Sequence, residues 1–180
     1  MTKDEALAAR CRALRLVLTD VDGVLTDGTV LILPDGSEAK SFHIRDGLGM
    51  VLARRAGLKL GLLSGRASPS VAARAAELHV DVVRQGVSDK RAVFEEILKE
   101  QGLRAPEVAY MGDDLNDLCV LTEVGLSAAP ADAPFEVRAQ AFMVTDARGG
   151  AGCFREFLEA ILKARGQWEP LLAEIGAALP

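Results

Sequence analysis

Aromatic side chains are scarce. One Trp, one Tyr and six Phe make up 4% of the 180 residues, too few for the stacking platforms that hold single-stranded nucleic acid. Basic excess is missing as well. Lys and Arg number 21 against 26 Asp and Glu, a net charge of −5, so a phosphodiester backbone is not an expected partner. No apolar run approaches the roughly 20 residues of a membrane helix, and no membrane is expected. Histidine is limited to His43 and His79. The cysteines Cys11, Cys119 and Cys153 stand far apart with no C-x-x-C, which argues against a zinc site. Three buried, free thiols suit a reducing cytosol. The stretch 1–12 carries Lys3, Asp4, Glu5, Arg10 and Arg12 and lacks the uncharged core of an export signal, so the expected location is cytoplasmic. A G-x-x-x-x-G-K-[ST] loop is absent. Gly150-Ala151-Gly152 lacks the third Gly of a dinucleotide fingerprint, since Arg155 stands there.

What remains is a globular composition, 49% hydrophobic and 26% charged, over a length that suits one domain, 1–180. Residues 3–13 read as a helix and 14–19 as a buried strand. Residues 29–33 and 38–42 flank Pro34-Asp35-Gly36 as a hairpin. A helix over 46–56 closes at Gly57, and a strand follows at 58–63. Ser68-Pro69 opens a helix to Leu78. Then come a strand at 80–83, a helix at 88–101, a strand at 107–111 and a helix near 116–123. Weak strands at 125–128 and 141–144 precede a helix at 152–164, and 166–180 reads as a tail, helical in part, that could be flexible. Strands alternating with helices predict an α/β fold, a doubly wound and mainly parallel sheet with a β-hairpin insertion. Ligands in such sheets bind beyond the carboxyl ends of the strands, which directs attention to the residues after Thr19, Leu63 and Met111.

Those residues are Asp20-Val21-Asp22-Gly23, Ser64-Gly65-Arg66 and Gly112-Asp113-Asp114-Leu115-Asn116-Asp117. On neighbouring strands, Asp20, Asp22, Asp113 and Asp114 converge. Two unit charges about 5 Å apart repel by roughly 3 kcal/mol at an effective dielectric near 20, so the group calls for a cation. Hard oxygen donors without a nearby His or Cys select magnesium over zinc. Phosphoryl transfer uses such a set. Asp20, ionised at neutral pH, serves as nucleophile. Asp22, two residues on, protonates the leaving alcohol and then deprotonates water. Ser64 and Lys90 face the phosphate oxygens. Asp113 holds the metal, and Asp114 and Asn116 orient ligands around it.

The segments Asp20-Val21-Asp22-Gly23-Val24-Leu25-Thr26-Asp27-Gly28, Ser64-Gly65-Arg66, Lys90 and Gly112-Asp113-Asp114-Leu115-Asn116-Asp117 resemble, in order, the motifs of the haloacid dehalogenase superfamily of phosphatases. The resemblance implies a fold of that superfamily, with Asp20 as nucleophile and Asp22 as general acid/base. It also implies Mg2+ on Asp20, Asp113 and the main-chain carbonyl of Asp22. A finer resemblance spans about residues 14–162. Phe42-His43-Ile44-Arg45-Asp46-Gly47-Leu48-Gly49 and Gly149-Gly150-Ala151-Gly152-Cys153-Phe154-Arg155-Glu156 are similar to the 3-deoxy-D-manno-octulosonate 8-phosphate phosphatases. These act in lipopolysaccharide precursor synthesis and form homotetramers. By motif position it implies substrate contacts at Asp22, His43, Ile44, Arg45, Asp46, Gly47, Arg66, Arg74 and Lys90. Val51 stands where several members carry a basic residue, and no contact is assigned there. Ala133-Pro134-Phe135 and Phe154-Arg155-Glu156-Phe157 also resemble the nonulosonate 9-phosphate phosphatases. Arg66, where those carry Glu, favours the eight-carbon sugar acid.

Neither residues 23–63 nor 91–112 have room for a cap domain. An open site admits water and discriminates poorly, so a neighbouring subunit is expected to cover it. The hairpin 29–42 is the expected oligomer contact and Gly149–Gly152 the expected mobile lid. Lys90 and a metal suffice for one phosphate, which leaves Arg45, Arg66 and Arg74 for a carboxylate. A substrate with a phosphate at one end and a carboxylate at the other would use them, and the resemblance implies that it is a small sugar-acid phosphate. The rivals are a nine-carbon analogue, a broad housekeeping phosphatase, and a catalytically silent interaction protein on the same fold.

Overall fold

The structure, a computed structural model, describes residues 2–177. Six strands form one sheet in the order β5 (Val82–Arg84), β4 (Lys59–Leu63), β1 (Leu16–Thr19), β6 (Val108–Met111), β7 (Leu126–Ala129), β8 (Met143–Val144). Every pair in it is parallel. The chain steps outward from β1 to β4 and β5, then returns to the other side of β1. The direction of winding therefore reverses between β1 and β6. A crevice opens at such a switch point, beyond the carboxyl ends of the strands. Thr19 lies level with Met111 across that boundary, so Asp20 and Gly112 leave the sheet side by side.

β1 is short and wholly buried, and its side chains alternate. Val17 joins a core with α1 (Lys3–Ala13), α2 (Ile44–Arg55), α3 (Pro69–Glu77), α7 (Cys153–Ala164) and α8 (Trp168–Ala177). Leu16 and Leu18 join the opposite core with α4 (Lys90–Gln101), α5 (Leu118–Leu121) and α6 (Phe135–Gln140). In α7, Phe154, Phe157, Leu158, Ile161 and Leu162 are all buried, the stripe that a helical repeat places on one face. α4 starts where the Asp89 side chain accepts from the Ala92 N–H, and stops at left-handed Gly102.

The expected elements are present with shifted ends. The hairpin shrinks to the antiparallel pair β2 (Leu31–Ile32) and β3 (Glu38–Ala39), a sheet of its own. α2 begins at Ile44 rather than Asp46. Ser68 stands at the N-cap of α3, but its hydroxyl makes no capping bond, and Pro69 sets the first turn. Helix α6 has no counterpart in the sequence reading; it is short and hidden behind Pro134. The tail read as flexible carries α8, where Trp168 and Leu171 are buried, while residues 178–180 of it lie outside the described residues. Between Asp20 and Ser64 stand only the hairpin, α2 and β4. No helix among the described residues is long and apolar enough to cross a membrane.

Candidate active site

The loop after β1 folds on itself. The Val21 carbonyl accepts from the N–H groups of Val24, Leu25 and Thr26, and the Thr26 hydroxyl accepts from those of Gly23 and Gly28. Asp20 is thereby held at the floor of a cleft of about 230 Å³. Asp22, Gly28, Ser64, Gly65, Arg66, Asp113, Asp114 and Asn116 complete its lining. All four expected carboxylates reach this cleft, as do Ser64 and Arg66. Lys90 lies behind Asp20 and donates to its Oδ2 (2.7 Å), while the Val21 N–H donates to Oδ1 (2.6 Å).

Lys90 also donates to Asp117 Oδ1 (2.6 Å), an oxygen that accepts from the Tyr110 hydroxyl too. Asp117 Oδ2 accepts from the N–H groups of Asp113 (3.0 Å) and Asp114 (3.2 Å). Asp117 is fully buried with both oxygens engaged, and so fastens Lys90, β6 and the acidic loop together. The sequence reading named Asp117 only as part of a motif and Tyr110 only as part of a strand. One available signal was Lys90 itself, since a buried ammonium has three N–H donors and calls for more than one acceptor.

Carboxylate oxygens of Asp20, Asp113 and Asp117 lie within 4.8 Å of one another. This places Asp117 beside two of the ligands that the resemblance implies, Asp20 and Asp113, the third being the main-chain carbonyl of Asp22. The Asp22 side chain is outside that cluster and pairs through Oδ1 with Lys40. The crowding raises proton affinity. Burial, then Asp117, push Asp20 up to about 6 against the pull of Lys90. Burial, then Asp20 and Asp117, push Asp113 up to about 8. Burial pulls Lys90 down, but Asp20 and Asp117 outweigh it and hold its ammonium above the usual range. Asp113 Oδ1 is buried without a hydrogen-bond partner. An all-oxygen donor set with excess negative charge and an unpartnered oxygen fits a hard divalent cation such as Mg2+.

Gly23 has φ +89°, and a Cβ there would lie 1.9 Å from Asp113 Oδ2. Only a residue without a side chain lets the two acidic loops meet. The glycines read as a mobile lid serve a similar approach. A Cβ on Gly149 would lie 2.0 Å from the Gly23 carbonyl oxygen, and one on Gly150 would lie 2.5 Å from the Asp27 nitrogen. The Gly150 N–H donates to the Val24 carbonyl (2.9 Å), as does the Cys153 thiol (3.3 Å). The segment is packed against the loop that carries Asp20.

The remaining expected substrate contacts do not reach the cleft from within the chain. His43, Asp46, Gly47 and Arg74 line a separate and much smaller hollow beside Leu25 and Met50. Asp46 Oδ1 caps α7 by accepting from the Arg155 N–H (2.7 Å), which pins the first turn of α2 there. Gly47 makes room for the Arg74 guanidinium, 2.4 Å from where its Cβ would be. Ile44 is 77% exposed, and Arg45 opens onto a groove between α2 and α7. Two residues absent from the expectation do reach the site. Lys40 pairs with Asp22, and Glu38 pairs with Arg66. They stand two apart along one strand direction, so both side chains leave on the same side.

Residues 56–154 match the haloacid dehalogenase-like hydrolase family. The chain belongs to the haloacid dehalogenase-like hydrolases. A 3-deoxy-D-manno-octulosonate 8-phosphate phosphatase of Haemophilus influenzae is 40% identical over 154 residues, 86% of each chain. The enzyme of that name from Moraxella catarrhalis, solved in complex with magnesium ion, phosphate ion and 3-deoxy-D-manno-octulosonate, superposes with a TM-score of 0.91 at 33% identity. That match covers 94% of this chain and 97% of the other. The cobalt-bound H. influenzae structure gives a TM-score of 0.85 at 39% identity over 88% and 93%. Within the hydrolase class, the chain belongs to the 3-deoxy-D-manno-octulosonate 8-phosphate phosphatase family.

Proposed function

We propose that the protein hydrolyses 3-deoxy-D-manno-octulosonate 8-phosphate to the free sugar acid and inorganic phosphate. The observation that carries this is the meeting of Asp20, Asp22 and Asp113 at one cleft, with Lys90 paired to Asp20 behind it and Arg66 on its lining. The substrate is the one named for the relatives. In the proposed reaction a carboxylate oxygen of Asp20 attacks phosphorus. The bond to the sugar oxygen breaks, and that oxygen takes a proton from Asp22. Asp22 then takes a proton from water, which attacks the aspartyl phosphate and frees Asp20. Lys90 and the Ser64 hydroxyl face the phosphate oxygens, and Arg66 suits the substrate carboxylate. Asp20, Asp113 and the Asp22 carbonyl would hold Mg2+, which offsets the charge gathered among these carboxylates and the phosphate.

The other expected contacts, His43, Ile44, Arg45, Asp46, Gly47 and Arg74, are proposed to act across a subunit boundary in a homotetramer. The exposed apolar run Val30–Leu33 on the hairpin supports a self-contact. The cytoplasm is the proposed compartment, in keeping with three free cysteines, and neither nucleic acid nor membrane is a proposed partner. The test is phosphate release from 3-deoxy-D-manno-octulosonate 8-phosphate and from a nonulosonate 9-phosphate, with magnesium and with chelator. Magnesium-dependent turnover of the first, abolished in Asp20→Asn, is expected. A tenfold preference for the second, or turnover that survives in Asp20→Asn, would overturn the assignment.

A further inference from the structure

The Asp22 carboxylate has two unlike oxygens. Oδ1 accepts from Lys40 Nζ. Oδ2 is buried with no hydrogen-bond partner, and Arg66 Nε stands 4.0 Å from it, beyond bonding reach. The Lys40 side chain is only 1% exposed. Glu38, two residues earlier, holds the Arg66 guanidinium. Glu38, Arg66, Asp22 and Lys40 thus form a row of alternating charge that ties the hairpin to the loop after β1. β2 and β3 share no hydrogen bonds with the main sheet, so this row is a direct link between the insertion and the reacting groups.

We propose that Lys40 is a positioning residue for Asp22: by pinning Oδ1 it turns Oδ2 toward the leaving oxygen of the substrate. A carboxylate free to rotate spends little of its time in the one orientation that proton transfer needs, and a fixed partner removes that freedom. Lys40 does not touch the substrate in this scheme. The proposal rests on the proposed phosphatase reaction, in which Asp22 serves the leaving group.

The test compares two esters. A sugar alkoxide needs a proton as it departs, whereas p-nitrophenolate leaves without one. In Lys40→Met, which keeps the length of the stem, kcat/KM for 3-deoxy-D-manno-octulosonate 8-phosphate is expected to fall at least tenfold further than kcat/KM for p-nitrophenyl phosphate. Lys40→Arg, which retains the charge and the donor, is expected to recover most of that gap. Equal falls for both esters, no fall for either, or an Arg variant no better than the Met variant would overturn the proposal. Should Lys40→Met fail to fold, Lys40→Gln carries the same comparison. Wild-type protein that cleaves p-nitrophenyl phosphate but not the sugar-acid ester would count against the assigned substrate and leave the role of Lys40 to be read on another alkyl phosphate.

Discussion

Gly23→Ala separates the stability of the fold from the geometry of the site. Gly23 has φ +89°, where a Cβ costs roughly 1–2 kcal/mol of backbone strain. Gly57 has nearly the same φ, +85°, with nothing within 4 Å of an added Cβ. Gly57→Ala therefore measures the strain alone. At about 2–4 °C per kcal/mol for a chain of this size, its melting temperature should drop by roughly 2–8 °C, with kcat unchanged. In Gly23→Ala the same strain is joined by a contact of 1.9 Å to Asp113 Oδ2. Ordinary van der Waals contact for a Cβ begins near 3.4 Å, so carboxylate and loop must separate by about 1.5 Å. Sites of this kind tolerate about 0.5 Å, and a displacement near 1 Å can cost about a hundredfold in rate. Steady-state phosphate release should accordingly fall about a hundredfold or more, and the magnesium needed for half-maximal rate should rise about tenfold. A Gly23→Ala protein with kcat within threefold of wild type would refute the claim that this glycine exists to admit Asp113. So would a rate loss of equal size in Gly57→Ala.

Two further outcomes follow from the same contacts. Asp113 binds its proton up to about 8 in the folded chain against 3.8 for the free side chain, and Asp20 up to about 6. The folded state thus holds more protons than the unfolded one between these values, so the metal-free protein should lose stability as pH rises from about 4 to 8. Magnesium, by supplying the missing charge, should raise the melting temperature more at pH 8 than at pH 5; an equal or smaller rise at pH 8 would contradict the reading. Asp46→Ala removes the side chain that caps α7 at the Arg155 N–H, and should cost about 1 kcal/mol in urea unfolding, a loss that Asp46→Asn largely restores.

The order of strands and helices was legible because a buried parallel strand is a short apolar run, and β1, β4 and β6 each end in such a run before a polar loop. Their carboxyl ends then had to meet, because the winding reverses between β1 and β6. Asp20, Ser64 and Asp113 were found by that rule alone. What escaped depends on reach rather than pattern. Glu38 belongs to a two-residue strand and Lys40 follows it directly; the sequence reads as an ordinary ribbon, and only its fold over the loop after β1 brings them to Arg66 and Asp22. Lys40 arrives from 18 residues away in sequence and takes the carboxylate. His43–Gly47 and Arg74 were assigned as substrate contacts by likeness of motif, yet Asp46 anchors the start of α2 to α7, and His43, Asp46, Gly47 and Arg74 of α3 line a separate hollow.

That anchoring explains how a site with no covering domain keeps its shape. The floor of the cleft is built as a stack of close backbone approaches. Asp113 rests on Gly23, the Gly23 carbonyl rests on Gly149, and the Asp27 backbone rests on Gly150. Behind the stack stands α7, held to the catalytic loop by Cys153 and to α2 by Asp46. Each layer touches the next through main chain or through a side chain with fixed partners, so there is little side-chain freedom to absorb a displacement. On the opposite side, Asp117 locks Lys90 and both N–H groups of the acidic loop to β6. The repelling carboxylates are therefore held by backbone that cannot relax away from them, and the strain is relieved by charge rather than by movement. A divalent cation held at Asp20 and Asp113 would supply the positive charge that these carboxylates lack. This is why the same rigidity that raises Asp20 and Asp113 above their ordinary proton affinity also prepares the cleft for phosphoryl transfer.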